Sequence, residues 1–266
     1  MESQWQPHLV CFIDILGFKW LSRTCPEFAE KKAGKFREIV REQVDARFKS
    51  LELKALGPGL EPVKPAFSGI SDSIFITLAL RPEGVPLIPE VPLLVKGLSE
   101  SLFACLKESI PLRGSLAVGP AISTSTPGFD GPLLVGRPVT QAAVFENEQQ
   151  WVGISMVPEA TDEGDPITSS VIETLRNEGL LLRFGTPTES GIRDCWVVTW
   201  PGNLIDESVE RVWCEYQNHL TDIGVAAKYL GTLSFLFHQS KKKGTEHIYD
   251  VLEKKGLICR GKKMPE

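Results

Sequence analysis

The chain has 266 residues, 42% of them hydrophobic and 24% charged, with a formal net charge of −5. That balance excludes intrinsic disorder, and a chain this long buries roughly 70–75% of its unfolded surface without disulfide or metal staples. The longest apolar runs, residues 10–16 and 230–237, fall well short of the about 20 residues a bilayer requires, so no membrane insertion is expected. Residues 1–4 lack the basic and apolar regions of a secretion signal. Charge is uneven: residues 241–266 hold eight Lys/Arg against four Asp/Glu, which leaves the first 240 with a net −9. An acidic body argues against a nucleic-acid partner, whose phosphates demand neutralisation. Lys241–Lys243 reads as a solvated helix end. Six cysteines form no Cys-x-x-Cys pair. Cys11, Cys105 and Cys195 sit among apolar neighbours, as in a reduced, cytoplasmic protein without structural zinc.

Residues 8–15 form a compact apolar run suited to a buried strand that ends abruptly at Asp14-Ile15-Leu16-Gly17-Phe18. Residues 27–51 carry Phe28, Phe36, Ile39, Val40, Val44, Phe48 and Leu51 at helical spacing, predicting a long amphipathic helix. Residues 56–65 read as Gly/Pro-rich loop. Residues 63–70 and 74–80 read as strands joined in a hairpin by Ser71-Asp72-Ser73. A Pro-rich loop over 82–92 precedes a helix at 93–110, a strand at 112–118, a short helix at 136–150 and a strand at 151–156. This order predicts an α+β layered sheet with one helical face. Helix 167–177, strands 180–184 and 195–200, and one or two helices over 206–238 complete the pattern. No composition break appears, so residues 1–266 read as a single domain, with a core over 8–200 and a helical extension over 201–266.

Two aspartates stand in unusual places. Asp14 closes an apolar strand, where a carboxylate costs several kcal/mol of desolvation unless paired. Asp72 sits at the tip of the hairpin. If the hairpin lies beside the first strand, both carboxylates project at one end of the sheet, and two hard anionic oxygens suit Mg²⁺ or Mn²⁺ with triphosphate oxygens. The turn at Leu16-Gly17-Phe18 opens a helix whose free backbone N–H groups can face phosphates. A helix cap for Asp14 and a turn former for Asp72 account for the residue types equally well. Spacing alone leaves both readings open. His8, His219, His238 and His247 are scattered without a nucleophile partner and read as structural, while Trp196, Trp200 and Trp213 read as core. Neither a nucleophile elbow around Ser71 or Ser73 nor a P-loop is present.

The run Phe12-Ile13-Asp14-Ile15-Leu16-Gly17-Phe18-Lys19-Trp20-Leu21-Ser22 resembles the F-x-D-I-x-G-F-x-x-L-S signature of class III nucleotide cyclases. Ser71-Asp72 resembles that family's Gly-Asp hairpin, residues 112–119 its R-x-G-I-x-x-G strand, and residues 136–143 its G-x-x-V-N-x-A-A helix. The four blocks occur in the family's order over about residues 8–156. The resemblance implies a ferredoxin-like, palm-type core with an antiparallel-rich sheet, packed helices and a C-terminal helical extension. It also implies two divalent ions held by Asp14, Asp72 and the backbone carbonyl of Ile15. A nucleoside triphosphate would then lie at the boundary of a homodimer, contacting the Leu16–Phe18 turn and helix residues near Thr140.

Departures from the pattern narrow that expectation. The family's transition-state Asn falls on Thr140 and its Arg on Val144, while its purine-reading positions fall on Ser68 and Leu133. Arg137 and Arg113 are candidate replacement cations, and Arg183 in Arg183-Phe184-Gly185 stands where the family has a phosphate-binding Lys-Gly. A compact cyclase domain with altered base readers resembles the Pycsar pyrimidine cyclases of bacterial anti-phage defence. That resemblance implies cyclisation of UTP or CTP into a messenger read by a separate effector, with UTP the expected substrate and CTP the alternative. A nucleotide-binding regulatory domain without catalysis, and a polymerase-like or scaffold use of the palm, remain alternatives.

Overall fold

The computed structural model describes residues 5–52, 63–81, 90–125, 132–158, 165–200 and 204–242. Strand β1 (Gln6–Ile15) lies inside the sheet. It pairs antiparallel with β3 (Ser73–Ala79) on one side and β4 (Leu112–Ser125) on the other. The helices α1 (Phe18–Thr24) and α2 (Pro26–Glu52) follow β1, and β2 (Ala66–Ile70) forms the expected hairpin with β3. Next come α3 (Glu90–Lys107), β5 (Pro132–Gly136), α4 (Arg137–Glu148) and β6 (Gly153–Met156). The chain continues through α5 (Pro166–Asn177), β7 (Leu181–Thr188), β8 (Gly191–Val198), α6 (Ile205–Asn218) and α7 (Ile223–Lys242). The sheet runs β2-β3-β1-β4-β6-β8-β7, with β5 as a further arm on β4. Among the named strands only β6 on β4 is parallel, so the sheet is antiparallel-rich as expected.

Alternation along β1 sorts its side chains onto two faces. Leu9, Cys11, Ile13 and Ile15 are all buried, in one core cluster with Phe36, Val40 and Val44 of α2 and Leu94, Leu98 and Leu102 of α3. Phe12 and Asp14 point the other way. There α4 covers the sheet, since Ser115, in register with Phe12, donates from Oγ to the Ala142 carbonyl. Helices therefore occupy both faces, which corrects the expectation of one helical face. The reason is local: α4 follows the β4–β5 arm, whose reversal returns the chain to the side that α2 and α3 leave open.

Strand β5 and the length of β4 also differ from expectation. Residues 119–125 are rich in Ser, Thr and Gly, and β5 exposes Leu133 and Val135, so the pair lacks the buried alternation that marks an interior strand. Strand β7 runs on to Thr188 and β8 begins at Gly191, because these two form a hairpin of their own. Residues 82–89 of the expected loop over 82–92 and most of that over 56–65 lie outside the described residues, as do His247 and Lys243, while Glu90, Val91 and Pro92 already belong to α3, which starts three residues earlier than expected because Pro is accommodated in a helix's first turn. Trp200 is buried, and Trp196 and Trp213 pack partly buried against the core.

The C-terminal helices are fastened by side chains that bond backbone. Thr232 Oγ1 accepts from the Val152 amide at 2.9 Å, and Gln239 bonds both the amide and carbonyl of Trp200 at 3.0 and 2.8 Å. Trp151, Phe184 and Phe235 form an aromatic cluster with centroids 5.1–5.6 Å apart. Among the described residues no helix is long and apolar enough to cross a membrane.

Gly97 lets α3 lie directly on α2, because a Cβ there would come within 2.8 Å of Val44 Cα. Backbone cannot step aside as a side-chain tip can, so Gly97→Ala should cost about 1–3 kcal/mol. Urea denaturation should show a lower midpoint with an unchanged slope.

Candidate active site

Asp14 is the last outward-facing residue of β1 on the α4 side. Ladder registration sets Ser73 beside it on β3 and Arg113 beside it on β4. Ser73 Oγ donates to Asp14 Oδ1 at 2.9 Å. The hairpin turns at Ser71, whose φ of 55° is left-handed, and this brings Asp72 close enough to Asp14 for its charge to act on the Asp14 carboxyl. Arg37 of α2 donates to the Ser71 carbonyl and so holds the hairpin tip.

A third carboxylate completes the group. Glu146, near the end of α4, is almost fully buried and accepts from Arg113 Nε. Arg113 Nη1 also donates to the Gln149 carbonyl at 2.8 Å. Burial, then the charges of Glu146 and Asp72, push the Asp14 carboxyl up to about 7, against the opposing bond from Ser73. Burial also raises Glu146, with the Arg113 guanidinium pulling the other way. Asp14 and Asp72 thus form a half-buried acidic pair whose nearest guanidinium is already bonded to Glu146.

The turn after Asp14 is built by Gly17, whose φ of 83° is open to glycine at little cost. Leu16 N donates to the Pro111 carbonyl at 2.9 Å, so that amide is spent on the turn and does not face a ligand as expected. Phe18 begins α1, which is seven residues long. Ile15 remains in the ladder opposite Leu112. Ser68 is in register with Phe75, and Phe75 with Phe12, so Ser68 shares the face that bears Asp14.

Other expected site residues stand elsewhere in the chain. Arg137 and Pro138 lie against Pro7 and Gly119, at the other end of β1. Pro7 and Asp14 are seven residue steps apart along the strand, roughly 23 Å. Thr140 is exposed on α4, and Leu133 pairs with Thr124, eleven positions along β4 from Arg113. Arg113 is at the carboxylates but buried and committed to Glu146, because a strand position facing α4 needs a partner. Arg183 is on β7, four strands from β1, bonded to Asp194 and stacked 5.2 Å over the Trp196 ring. Within one chain, Arg137, Thr140, Leu133 and Arg183 are therefore not brought to Asp14.

Sequence reasoning missed Ser73, Glu146 and Gln149. Ser73 was recoverable, since any antiparallel pairing of the hairpin with β1 sets it near Asp14. Gln149 accepts from Trp151 Nε1 and Ser155 Oγ and donates to the Gly114 carbonyl, a buried junction that no spacing announces. His8, His219 and His238 each bond a backbone carbonyl through one ring nitrogen.

No family model matches this chain, and no curated protein matches it by sequence. Solved structures do. A bacterial light-regulated adenylyl cyclase aligns with a TM-score of 0.50 at 13% identity, over 75% of this chain and 53% of that one. The chain has the class III nucleotide cyclase fold. The catalytic core of a rhodopsin-guanylyl cyclase with converted specificity, solved with ATPαS, aligns at 0.48 and 19% identity over 76% of this chain and all of that one. The dimeric guanylyl cyclase domain of the RhoGC fusion protein from the aquatic fungus Blastocladiella emersonii aligns at 0.47 and 18%, over 74% and 98%. On this cyclase fold, Asp14 and Asp72 occupy the end of the inner strand and the tip of the neighbouring hairpin.

The raised Asp14 carboxyl has a signed consequence. Its folded value of about 7 lies above the ordinary value of 3.8, so the folded state holds the extra proton between them and loses stability as pH rises through that window. Asp14→Asn should therefore melt higher than the parent at pH 8 without metal, the gap closing toward pH 4. Thermal melts across that range in chelator check it; a parent that melts higher at pH 8 would contradict it.

Proposed function

We propose that this protein is a nucleotide cyclase that converts UTP, or in the alternative CTP, to the 3′,5′-cyclic monophosphate and pyrophosphate. The observation that carries the reading is the juxtaposition of Asp14 and Asp72, at the end of β1 and the tip of the neighbouring hairpin beside the Ile15–Phe18 turn, on a cyclase fold. Those carboxylates fit a divalent cation. They are hard oxygen donors, and a positive charge between them would relieve the burial and repulsion that lift Asp14. Asp14, Asp72 and the Ile15 carbonyl would hold two Mn²⁺ or Mg²⁺ ions. Bound there, the ions supply Lewis acidity toward the ribose 3′-hydroxyl and the departing pyrophosphate.

The chain's own residues then do the positioning. Ser73 fixes the Asp14 carboxyl through its 2.9 Å bond, and Arg37 fixes the tip that carries Asp72. Attack of the 3′-oxygen on the α-phosphorus is intramolecular, so alignment is the main demand on the protein. Arg137, Thr140 and Leu133 serve a site only if a second copy presents them, because their own Asp14 is distant. A homodimer with sites at the subunit boundary follows from this reading, supported by the exposed Leu133, Val135 and Val144. The base preference rests on Ser68 and Leu133, a short hydroxyl and an apolar side chain where purine readers stand in the resembled family. A Ser hydroxyl donates or accepts by rotation, so it serves the edge of either pyrimidine. The Pycsar resemblance extends the reading to a cytoplasmic messenger of anti-phage defence, sensed by a separate effector.

A second reading has its own support. Thr140 and Val144 carry neither the amide nor the guanidinium of the family pattern, which favours a domain that binds nucleotide without turnover. Incubation with all four NTPs and Mn²⁺, followed by mass spectrometry, separates the two. Cyclic UMP should dominate; dominant cyclic CMP corrects the base, a cyclic purine overturns the pyrimidine choice, and bound but intact nucleotide favours the second reading.

Asp14→Ala and Asp72→Ala should each lower product formation by about a thousandfold while the fold persists. Mixing Asp14→Ala with an Arg137→Ala, Thr140→Ala variant should restore part of the activity, since one composite site would be intact. Absence of rescue, or a monomer in sedimentation, would count against the shared site.

A further inference from the structure

We infer that Glu146 is a positioning residue of the acidic site: by binding and neutralising Arg113 it keeps that guanidinium off Asp14 and Asp72, so that the pair stays open to a cation. This deepens the cyclase reading and rests on it.

The ladder offers an ion pair that the molecule does not make. Asp14 and Arg113 stand directly opposite each other on β1 and β4. Opposite residues of an antiparallel pair point to the same face with Cβ atoms about 4.5–5.5 Å apart, and opposite charges there attract. A guanidinium fork also matches a carboxylate in two parallel bonds. Arg113 would therefore be the natural counter-ion of Asp14. Instead Asp14 accepts from Ser73 at 2.9 Å, while Arg113 donates from Nε to Glu146. Its Nη1 donates to the Asn147 and Gln149 carbonyls at 3.4 and 2.8 Å. The charges that act on Asp14 are both carboxylates, Glu146 and Asp72.

Glu146 holds the guanidinium because α4 fixes it there. It is almost fully buried, where loss of water strengthens an ion pair. Ser115 Oγ donates to the Ala142 carbonyl, and Gln149 Nε2 donates to the Gly114 carbonyl at 2.7 Å. Residues 113, 114 and 115 of β4 thus all hold this end of the helix and its exit. Lys228 of α7 and Arg113 repel each other, which disfavours movement of a released guanidinium toward α7 and leaves Asp14 and Asp72 as its acceptors. A metal ion would then have to displace it. Hydrogen bonds to charged groups are worth enough that displacement costs about tenfold or more in affinity. Among the described residues no group of three His, Cys, Asp or Glu side chains is placed to hold a metal ion, so Glu146 acts through Arg113 and not as a third ligand.

The test is titration of Mn²⁺ into the full chain by calorimetry, at a temperature where thermal melts in chelator show each variant folded. Glu146→Gln keeps the shape of the side chain and removes its charge, so Mn²⁺ affinity should fall about tenfold or more. The double variant Arg113→Met, Glu146→Leu replaces a buried ion pair by apolar side chains, a change that is often neutral for stability. It should retain the parent's affinity, because the competing guanidinium has gone. A merely structural Glu146 gives no such rescue, since coupling of this sign requires one residue to act through the other. Unchanged affinity in folded Glu146→Gln overturns the inference, and so does a double variant that binds Mn²⁺ markedly more weakly than the parent. A parent that binds no Mn²⁺ overturns the cyclase reading and this inference together, a result distinct from the other two. None of these readouts requires turnover.

Discussion

Like charge held in place by a β-ladder is the constraint around which this end of the molecule is arranged. Asp14 is paired on both sides, by Ser73 and by Arg113, so its backbone cannot retreat from the carboxylates near it. Two unit charges about 4 Å apart repel by about 4 kcal/mol at an effective dielectric of 20. The Arg113 guanidinium does not offset the Asp14–Asp72 repulsion, because Glu146 and two backbone carbonyls already occupy it. Only a proton or a cation can relieve the pair, and the lifted Asp14 carboxyl shows the protonic solution.

Helix α4 connects that constraint to the rest of the surface. Its last turn delivers Glu146 to Arg113, while its first turn sits roughly 15 Å away against Gly119. One rigid element thus touches the acidic group with one end and leaves Thr140 and Val144 in solvent. A helix with this disposition serves its own chain at the C-terminal end, and under the proposed dimer would serve a neighbouring chain along its exposed stripe. The buried Gln149 junction, which gathers Trp151, Ser155 and the Gly114 carbonyl, fixes the exit of α4 and hence the angle at which that stripe is shown.

What was legible in the sequence follows from where each signal comes from. β1 and the hairpin were readable because burial on both faces writes continuous apolar runs, and Asp14 and Asp72 interrupt those runs at their ends. Helices α2, α3 and α5 were readable from apolar spacing. β5 was not, since an exposed edge arm carries no alternation of burial. The Arg113–Glu146 pair was hidden for another reason. Its partners are 33 positions apart, and only the return of α4 across the sheet brings them together. Arg183 misled in the opposite direction, as a motif-like Arg-Phe-Gly whose guanidinium stands with Asp194 on the far edge of the sheet.

The same geometry separates chemistry from recognition. Asp14 lies in an inner strand, and Glu146 and Arg113 are buried, so removing one of the buried ion partners leaves an uncompensated charge worth about 3–5 kcal/mol. Ser68 lies on β2, the outermost strand, and Leu133 is exposed on the β5 arm. Substitutions at such surface positions usually change stability by less than about 0.5 kcal/mol. The cost of altering the acidic group is therefore several times that of altering the residues aligned with base readers. A fold divided in this way can replace a purine-reading side chain by Ser or Leu while its carboxylates stay fixed. Under the proposed reading, departures at Ser68 and Leu133 would bear on which base is taken while the placement of Asp14 and Asp72 stays untouched.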